Sequence, residues 1–129
     1  MSYLLDTQVW LWMRNEPEML RNEARTIIEH PENQLHISAA TAWEIATKAT
    51  VGRLRLPVAA EDWLTDARRL VDVTQLPITF AHAARAGMLP RLHRDPFDRM
   101  LVAQAQLEGL TLITSDAQVA AYDIDVVRA

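Results

Sequence analysis

The chain has 129 residues, half of them hydrophobic, with a formal net charge of −4 and no cysteine. That length suits one domain, spanning 1–129, that can bury a sizeable core without staples. The composition excludes a disulfide framework and a zinc–thiolate site, and the acidic balance argues against general electrostatic binding to nucleic acid.

In chain order, "SYLLD" reads as a short buried strand ending at Asp6, and "TQVWLWMR" as a helix broken by "NEP". Residues 18–29 form a second amphipathic helix, stopped by "HPEN". "QLHIS" alternates and reads as a strand. "AATAWEIATKAT" is helical, with Ser38 as N-cap and Gly52 as its stop. "RLRLP" is an extended link, 59–71 another helix, and "VTQLPI" a short strand or edge segment. "FAHAARAGML" is helical, "PRLHR" a loop, and "PFDRMLVAQAQLEG" a helix ending at Gly109. "LTLIT" is an apolar strand, "DAQVAAY" a short helix and "IDVVR" a last strand. Strands alternating with helices imply a mostly parallel sheet covered on both faces. No apolar run is long enough to span a membrane, and "MSYLLDTQVW" lacks the basic start and cleavage site of a secretory signal. A cytoplasmic protein with no membrane partner is expected. Trp10, Trp12, Trp43 and Trp63 read as core or interface anchors.

In an open α/β sheet, ligands gather at the carboxyl ends of the strands. Asp6 ends the first strand, and Asp116 lies just past "LTLIT". Glu44 sits in the second turn of the helix after "QLHIS", and Asp95 and Asp98 open the helix before "LTLIT". Each has a plainer reading. Asp6 and Asp116 can cap the helices that follow them, and Asp95 before Pro96 is a good N-cap. Glu44 stands four residues before Lys48, the usual spacing of a solvated ion pair. Asp98 resists the plain reading. It shares a face with Leu101, Val102 and Ala105, so it points inward and wants a counter-charge.

Carboxylates that converge can stay ionised together only with cations between them, or else some take up protons. Oxygen donors without cysteine suit Mg²⁺ or Mn²⁺, which activate water and stabilise phosphoryl oxygens. Nearby helix N-termini also favour phosphate. The assembly suits phosphodiester hydrolysis. Twelve of the thirteen basic residues are arginine. Codon bias accounts for this first, although arginine forks also match phosphate. Arg85, Arg91, Arg94 and Arg99 flank His93, Asp95 and Asp98, so a basic patch is expected to rim an acidic spot. Ser38 and Ser115 lack an obvious histidine–acid pairing, His93 is expected in a solvent-facing loop, and His30, His36 and His82 read as structural. No dinucleotide or P-loop motif is present.

The stretches "LLDT", "WEI", "HRDPFDR" and "LITSD", in that order, resemble the PIN-domain family, specifically the VapC-type toxin ribonucleases of bacterial toxin–antitoxin pairs. The resemblance extends over nearly the whole chain and implies a single PIN-like domain, a three-layer α/β/α sandwich with a mostly parallel sheet. It implies Mg²⁺- or Mn²⁺-dependent endoribonuclease activity, with Asp6, Glu44, Asp98 and Asp116 as the acidic quartet. Asp6, Asp98 and Asp116 would hold the metal, and Glu44 would coordinate indirectly or position water. Thr114 matches the family's hydroxyl residue before the last acid, and Ser115 and Asp95 would support the site. Arg94, Arg99 and His93 are candidates for contacting RNA. A homodimer and a cognate antitoxin whose tail blocks the cleft are also implied. Two positions depart from the family: Gln8 stands where histidine is frequent, and Ser115 where arginine is. The alternatives are a DNA or structure-specific nuclease of the same fold, or a non-catalytic acidic α/β binding or signalling module.

Overall fold

The computed structural model describes residues 1–129. Its five strands are β1 (Ser2–Leu5), β2 (Gln34–Ser38), β3 (Thr74–Leu76), β4 (Thr111–Thr114) and β5 (Val126–Arg128). They form one sheet in the order β3-β2-β1-β4-β5, with every neighbouring pair parallel. The helices are α1 (Thr7–Asn15), α2 (Asn22–Glu29), α3 (Ala39–Thr50), α4 (Ala60–Thr65), α5 (Ala67–Leu70), α6 (Phe80–Met88) and α7 (Pro96–Glu108).

Side-chain alternation along β1 divides the interior into two cores. Tyr3 and Leu5 face Val9, Trp10, Ala24, Ile45 and Trp63, drawn from helices α1 to α4. Leu4 faces the other way, onto Ala86 of α6 and Leu101, Val102 and Ala105 of α7. A strand read as buried is thus apolar because helices cover both of its faces. This is the three-layer α/β/α sandwich with a parallel sheet expected above.

Two helices expected to be continuous are divided. The segment 18–29 is a 3-10 turn at Pro17–Met19 followed by α2. Leu20 and Arg21 between them are extended, and Leu20 is drawn into the core. The segment 59–71 breaks at Asp66, whose carboxylate accepts from the Arg68 amide and starts α5. Aspartate competes poorly inside a helix and well at its cap, which periodicity alone does not register. The short helix at "DAQVAAY" is a 3-10 turn, Ala117–Ala121. By contrast Asp95 and Pro96 start α7 as expected, and Gly109 ends it in the left-handed conformation at φ 65°. Trp10 and Trp63 are core residues, but Trp43 lies 64% exposed, edge-on to Phe97.

The chain runs outward from β1 through β2 to β3, then returns to place β4 on the other side of β1. The reversal falls between β1 and β4, so their carboxyl ends flank the crevice where such sheets bind ligands. Asp6 and Asp116 follow those two ends.

Trp63 anchors the first core. It packs edge-on to Trp10 with centroids 5.0 Å apart, and the Arg14 guanidinium lies 3.4 Å over its ring. Trp63→Ala is expected to lower stability by about 3–5 kcal/mol, read as a fall in the urea midpoint at unchanged slope. A loss below about 1 kcal/mol would show that this tryptophan does not anchor the core.

Candidate active site

Asp6, Glu44, Asp98 and Asp116 line one cleft of about 300 Å³, together with Thr7, Gln8, Lys48, Arg53, Asp95 and Ser115. The topology delivers them from four places: the end of β1, the second turn of α3, the first turn of α7 and the residues after β4.

Each acid is held differently. Asp6 is almost wholly buried, and both of its oxygens are used. Oδ1 accepts from the Val9 amide at 2.7 Å, capping α1, and Oδ2 accepts from the Thr114 hydroxyl at 2.6 Å and the Ser115 amide at 3.0 Å. Burial nevertheless pushes its carboxyl above the ordinary range, against the pull of those bonds. Thr114 Oγ1 also accepts from the Asp116 amide at 3.0 Å, so one hydroxyl links the first and last acids. Glu44 is buried, accepts from the Thr7 hydroxyl at 2.6 Å and pairs with Lys48. The hydrogen bond to Glu44 is the main reason the Lys48 ammonium is held above its usual value. The pair has the spacing of a solvated contact, but its acid faces the interior.

Asp116 caps the following 3-10 turn through the Gln118 amide at 2.8 Å, and its Oδ2 lies 2.7 Å from His93 Nε2. Burial pushes its carboxyl up, but the His93 bond, the Gln118 amide and the charge of Arg128 together hold it below the usual value. Asp98 has no such support. His93 Nε2 stands 3.3 Å from its Oδ2, and the protein gives its carboxylate no hydrogen bond. Burial first, then the charges of Asp95, Asp6 and Glu44, raise it to about 7.

Two expectations need correction. His93 is not solvent-facing: its side chain is 9% exposed and turned onto Asp116 and Asp98. Arg99, a candidate for contacting RNA, has its guanidinium engaged inside the protein. It donates to the carbonyls of Ala86, Leu89 and Pro90 at 2.8, 3.0 and 3.0 Å, and to the Tyr122 hydroxyl at 3.3 Å. Arg94 is exposed. With Lys48, Arg53 and Arg91 it lines an open groove of about 770 Å³ that shares Lys48, Arg53 and Asp95 with the acidic cleft. Asp95 caps α7 through the Phe97 amide at 2.8 Å. Sequence does not single out Thr7 or Arg53. Thr7 looks like an ordinary first helical residue, and Arg53 lies in a link without periodicity.

The donors fit a small divalent cation. Ligand atoms of His93, Asp98 and Asp116 lie within 4.8 Å of one another, and Asp98 is a largely buried carboxylate to which no protein group donates a hydrogen bond. Asp6, expected beside Asp98 and Asp116 as a ligand, lines the same cleft but is not in that closest group.

The PIN-domain family model matches residues 3–125, and the chain belongs to that family. Within the family it stands with the VapC-type members. Ribonuclease VapC22 of Mycobacterium tuberculosis is 32% identical over 122 residues, covering 94% of this chain and 92% of the relative. Ribonuclease VapC16 of the same organism is 35% identical over 63 residues, 49% of this chain and 45% of its own length. Among solved structures, VapBC2 from Rickettsia felis bound to a promoter DNA fragment has TM-score 0.74 at 14% identity, covering 100% of this chain and 99% of that one. FitAcB from Neisseria gonorrhoeae has TM-score 0.62 at 21% identity, covering 98% and 96%. These structural likenesses speak for the fold alone.

Asp98 generates a pH prediction. Folded, its carboxyl keeps a proton to about 7; unfolded, it releases that proton at the ordinary 3.8. The stability this proton confers is complete below the lower value and is lost as pH rises toward the upper one. With chelator present, Asp98→Asn is therefore expected to be more stable than the parent at pH 8, by on the order of a few kcal/mol. Near pH 4 it should show little gain. Thermal melts at both pH values check this, and an equal difference at both would contradict it.

Proposed function

We propose that the chain is a metal-dependent endoribonuclease, the toxin of a toxin–antitoxin pair, using Mg²⁺ or Mn²⁺. The observation that carries the reading is Asp98, a mostly buried carboxylate left without a protein donor among four other acids in one cleft. Ribonuclease VapC22, similar along nearly all of both chains, supports RNA as the substrate class.

In this reading Asp98 and Asp116 hold the cation, and Asp6 faces it from the floor of the cleft. The bound cation would lower the pKa of a water and stabilise the phosphoryl oxygens during displacement. Thr114 and Ser115 lock the Asp6 carboxylate, so its position does not depend on cation binding. Glu44 is turned by Lys48 and Thr7 and serves to orient water. The N-termini of α1 and α7, capped by Asp6 and Asp95, open beside the cleft and favour a phosphate there. Arg53, Arg91 and Arg94 in the adjoining groove pair with the backbone of the strand. Their local charge serves this purpose despite the net charge of −4. A homodimer held inactive by a cognate antitoxin completes the reading; the toxin–antitoxin complex from Klebsiella pneumoniae, among the solved neighbours, supports such a partner.

Purified protein is expected to cleave structured RNA with Mg²⁺ or Mn²⁺ and to stop with EDTA. Asp98→Asn should reduce cleavage at least about 100-fold, beyond the loss typical of a residue that only orients a ligand. Cleavage indifferent to both EDTA and Asp98→Asn would exclude the mechanism. The groove has its own readout. Arg91→Gln with Arg94→Gln should flatten the dependence of log affinity on log salt by about 0.7 for each phosphate no longer neutralised, measured on a non-cleavable RNA. An unchanged slope would remove these arginines from the RNA path.

A further inference from the structure

His93 lies closest to the two acids proposed to hold the cation, and a histidine beside two aspartates suggests a nitrogen ligand. The ring's other nitrogen argues otherwise. The backbone N–H of Asp95 donates to His93 Nδ1 at 3.0 Å. A nitrogen that accepts this bond carries no proton, so the ring proton sits on Nε2. Nε2 is the atom 2.7 Å from Asp116 Oδ2 and 3.3 Å from Asp98 Oδ2. With its lone pair delocalised into the ring and its hydrogen pointing at a carboxylate, it is a donor and not a ligand.

The backbone that carries the ring is also held from behind. The His93 amide donates to the Tyr122 hydroxyl at 3.0 Å, and that hydroxyl donates to the Pro90 carbonyl at 2.8 Å. Arg99 reaches the same hydroxyl and the Pro90 carbonyl. The loop carrying His93 is therefore pinned at three points to α7 and to the residue after the last 3-10 turn. Such bracing has a use if the imidazole must meet the carboxylates at one fixed angle.

We infer that His93 is a positioning residue for the metal site: its Nε2–H, set by the Asp95 amide, holds Asp116 Oδ2 and keeps Asp116 turned toward Asp98, leaving their other lone pairs for the cation. This rests on the cation reading above and adds to it. The histidine orients a ligand and does not become one. Groups of this kind, when removed, typically cost 10–100-fold in metal affinity. Because Asp116 retains its Gln118 bond, the loss should be partial, whereas removing Asp98 removes a ligand.

The test joins two measurements on the full chain. Long-range ¹H–¹⁵N NMR of the metal-free protein, with the His93 ring assigned by its absence in His93→Gln, is expected to find the proton on Nε2. A proton on Nδ1 would overturn the inference without needing any variant to fold. Mn²⁺ binding is then followed by calorimetry and by electron spin-echo spectroscopy. The wild type should bind Mn²⁺ without a directly coordinated imidazole nitrogen. His93→Ala should bind about 10–100-fold more weakly, and His93→Gln, which keeps an N–H donor, should recover much of the difference. A coordinated-nitrogen signal that vanishes in His93→Ala would make His93 a ligand and overturn the inference alone. Equal affinity in His93→Ala would do the same. A wild type that does not bind Mn²⁺ at all would defeat the cation reading with it.

Discussion

Repulsion between carboxylates gathered at one end of a parallel sheet is the constraint on which this site depends. Charges a few ångströms apart in a partly dry cleft cannot all remain ionised unless each finds a partner. The fold supplies those partners unequally. Asp6 receives three hydrogen bonds, Glu44 a lysine and a hydroxyl, and Asp116 an imidazole and an amide. Asp98 receives none, and it is the acid raised to about 7. Burial raises both Asp6 and Asp98, but only Asp98 has no hydrogen bond to offset it, which marks where a cation would be most strongly held. A site meant only to be stable would have spread the compensation evenly or replaced Asp98.

Helix capping and ligand holding look like rival explanations for an aspartate at a strand end, but a carboxylate has two oxygens. Asp116 gives Oδ1 to the Gln118 amide and leaves Oδ2 to face His93 and the cleft. Asp95 gives Oδ1 to two amides of α7 while lining the same cleft. The cap fixes the rotamer of the side chain, and a fixed rotamer aims the remaining lone pairs. The local requirement of the helix and the chemical requirement of the site are met by one group, so finding the cap does not diminish the case for the ligand.

Much of this is legible in the sequence because local rules carry it. Asp95-Pro96 and Gly109 bound α7, and offsets of three, four and seven turn Asp98 inward before any coordinates are known. The alternation of strands and helices implies the parallel sheet, and the strand ends locate Asp6 and Asp116. What escapes is set by residues distant in the chain. Glu44 and Lys48 have the same spacing whether the acid is wet or buried; only the packing of α3 beside α1 and α7 decides. His93 is easily misread because its loop is held in place by Tyr122, twenty-nine residues on, and no local signal announces that bond. The divided helices fail for the opposite reason. Their breaks are local, but periodicity smooths over Asp66 and over the pull of Leu20 into the core.

Arg99 shows how far a motif can mislead when its residues are read singly. In "HRDPFDR" the final arginine stands among residues aimed at the cleft, and its charge invites a phosphate. Instead the planar guanidinium donates to four backbone carbonyls, those of Ala86, Leu89, Pro90 and His93, and to the Tyr122 hydroxyl, tying the end of α6 and the loop after it to α7. A lysine could carry the charge but could not span these acceptors from one plane. The motif thus has two halves with different duties. Asp95 and Pro96 start the helix that aims Asp98, while Arg99, one residue further on, reaches back to fix the loop that brings His93 to the same place. Start and brace lie on one helix turn, so the acid and the imidazole that face each other across the cleft are set by the same rigid element.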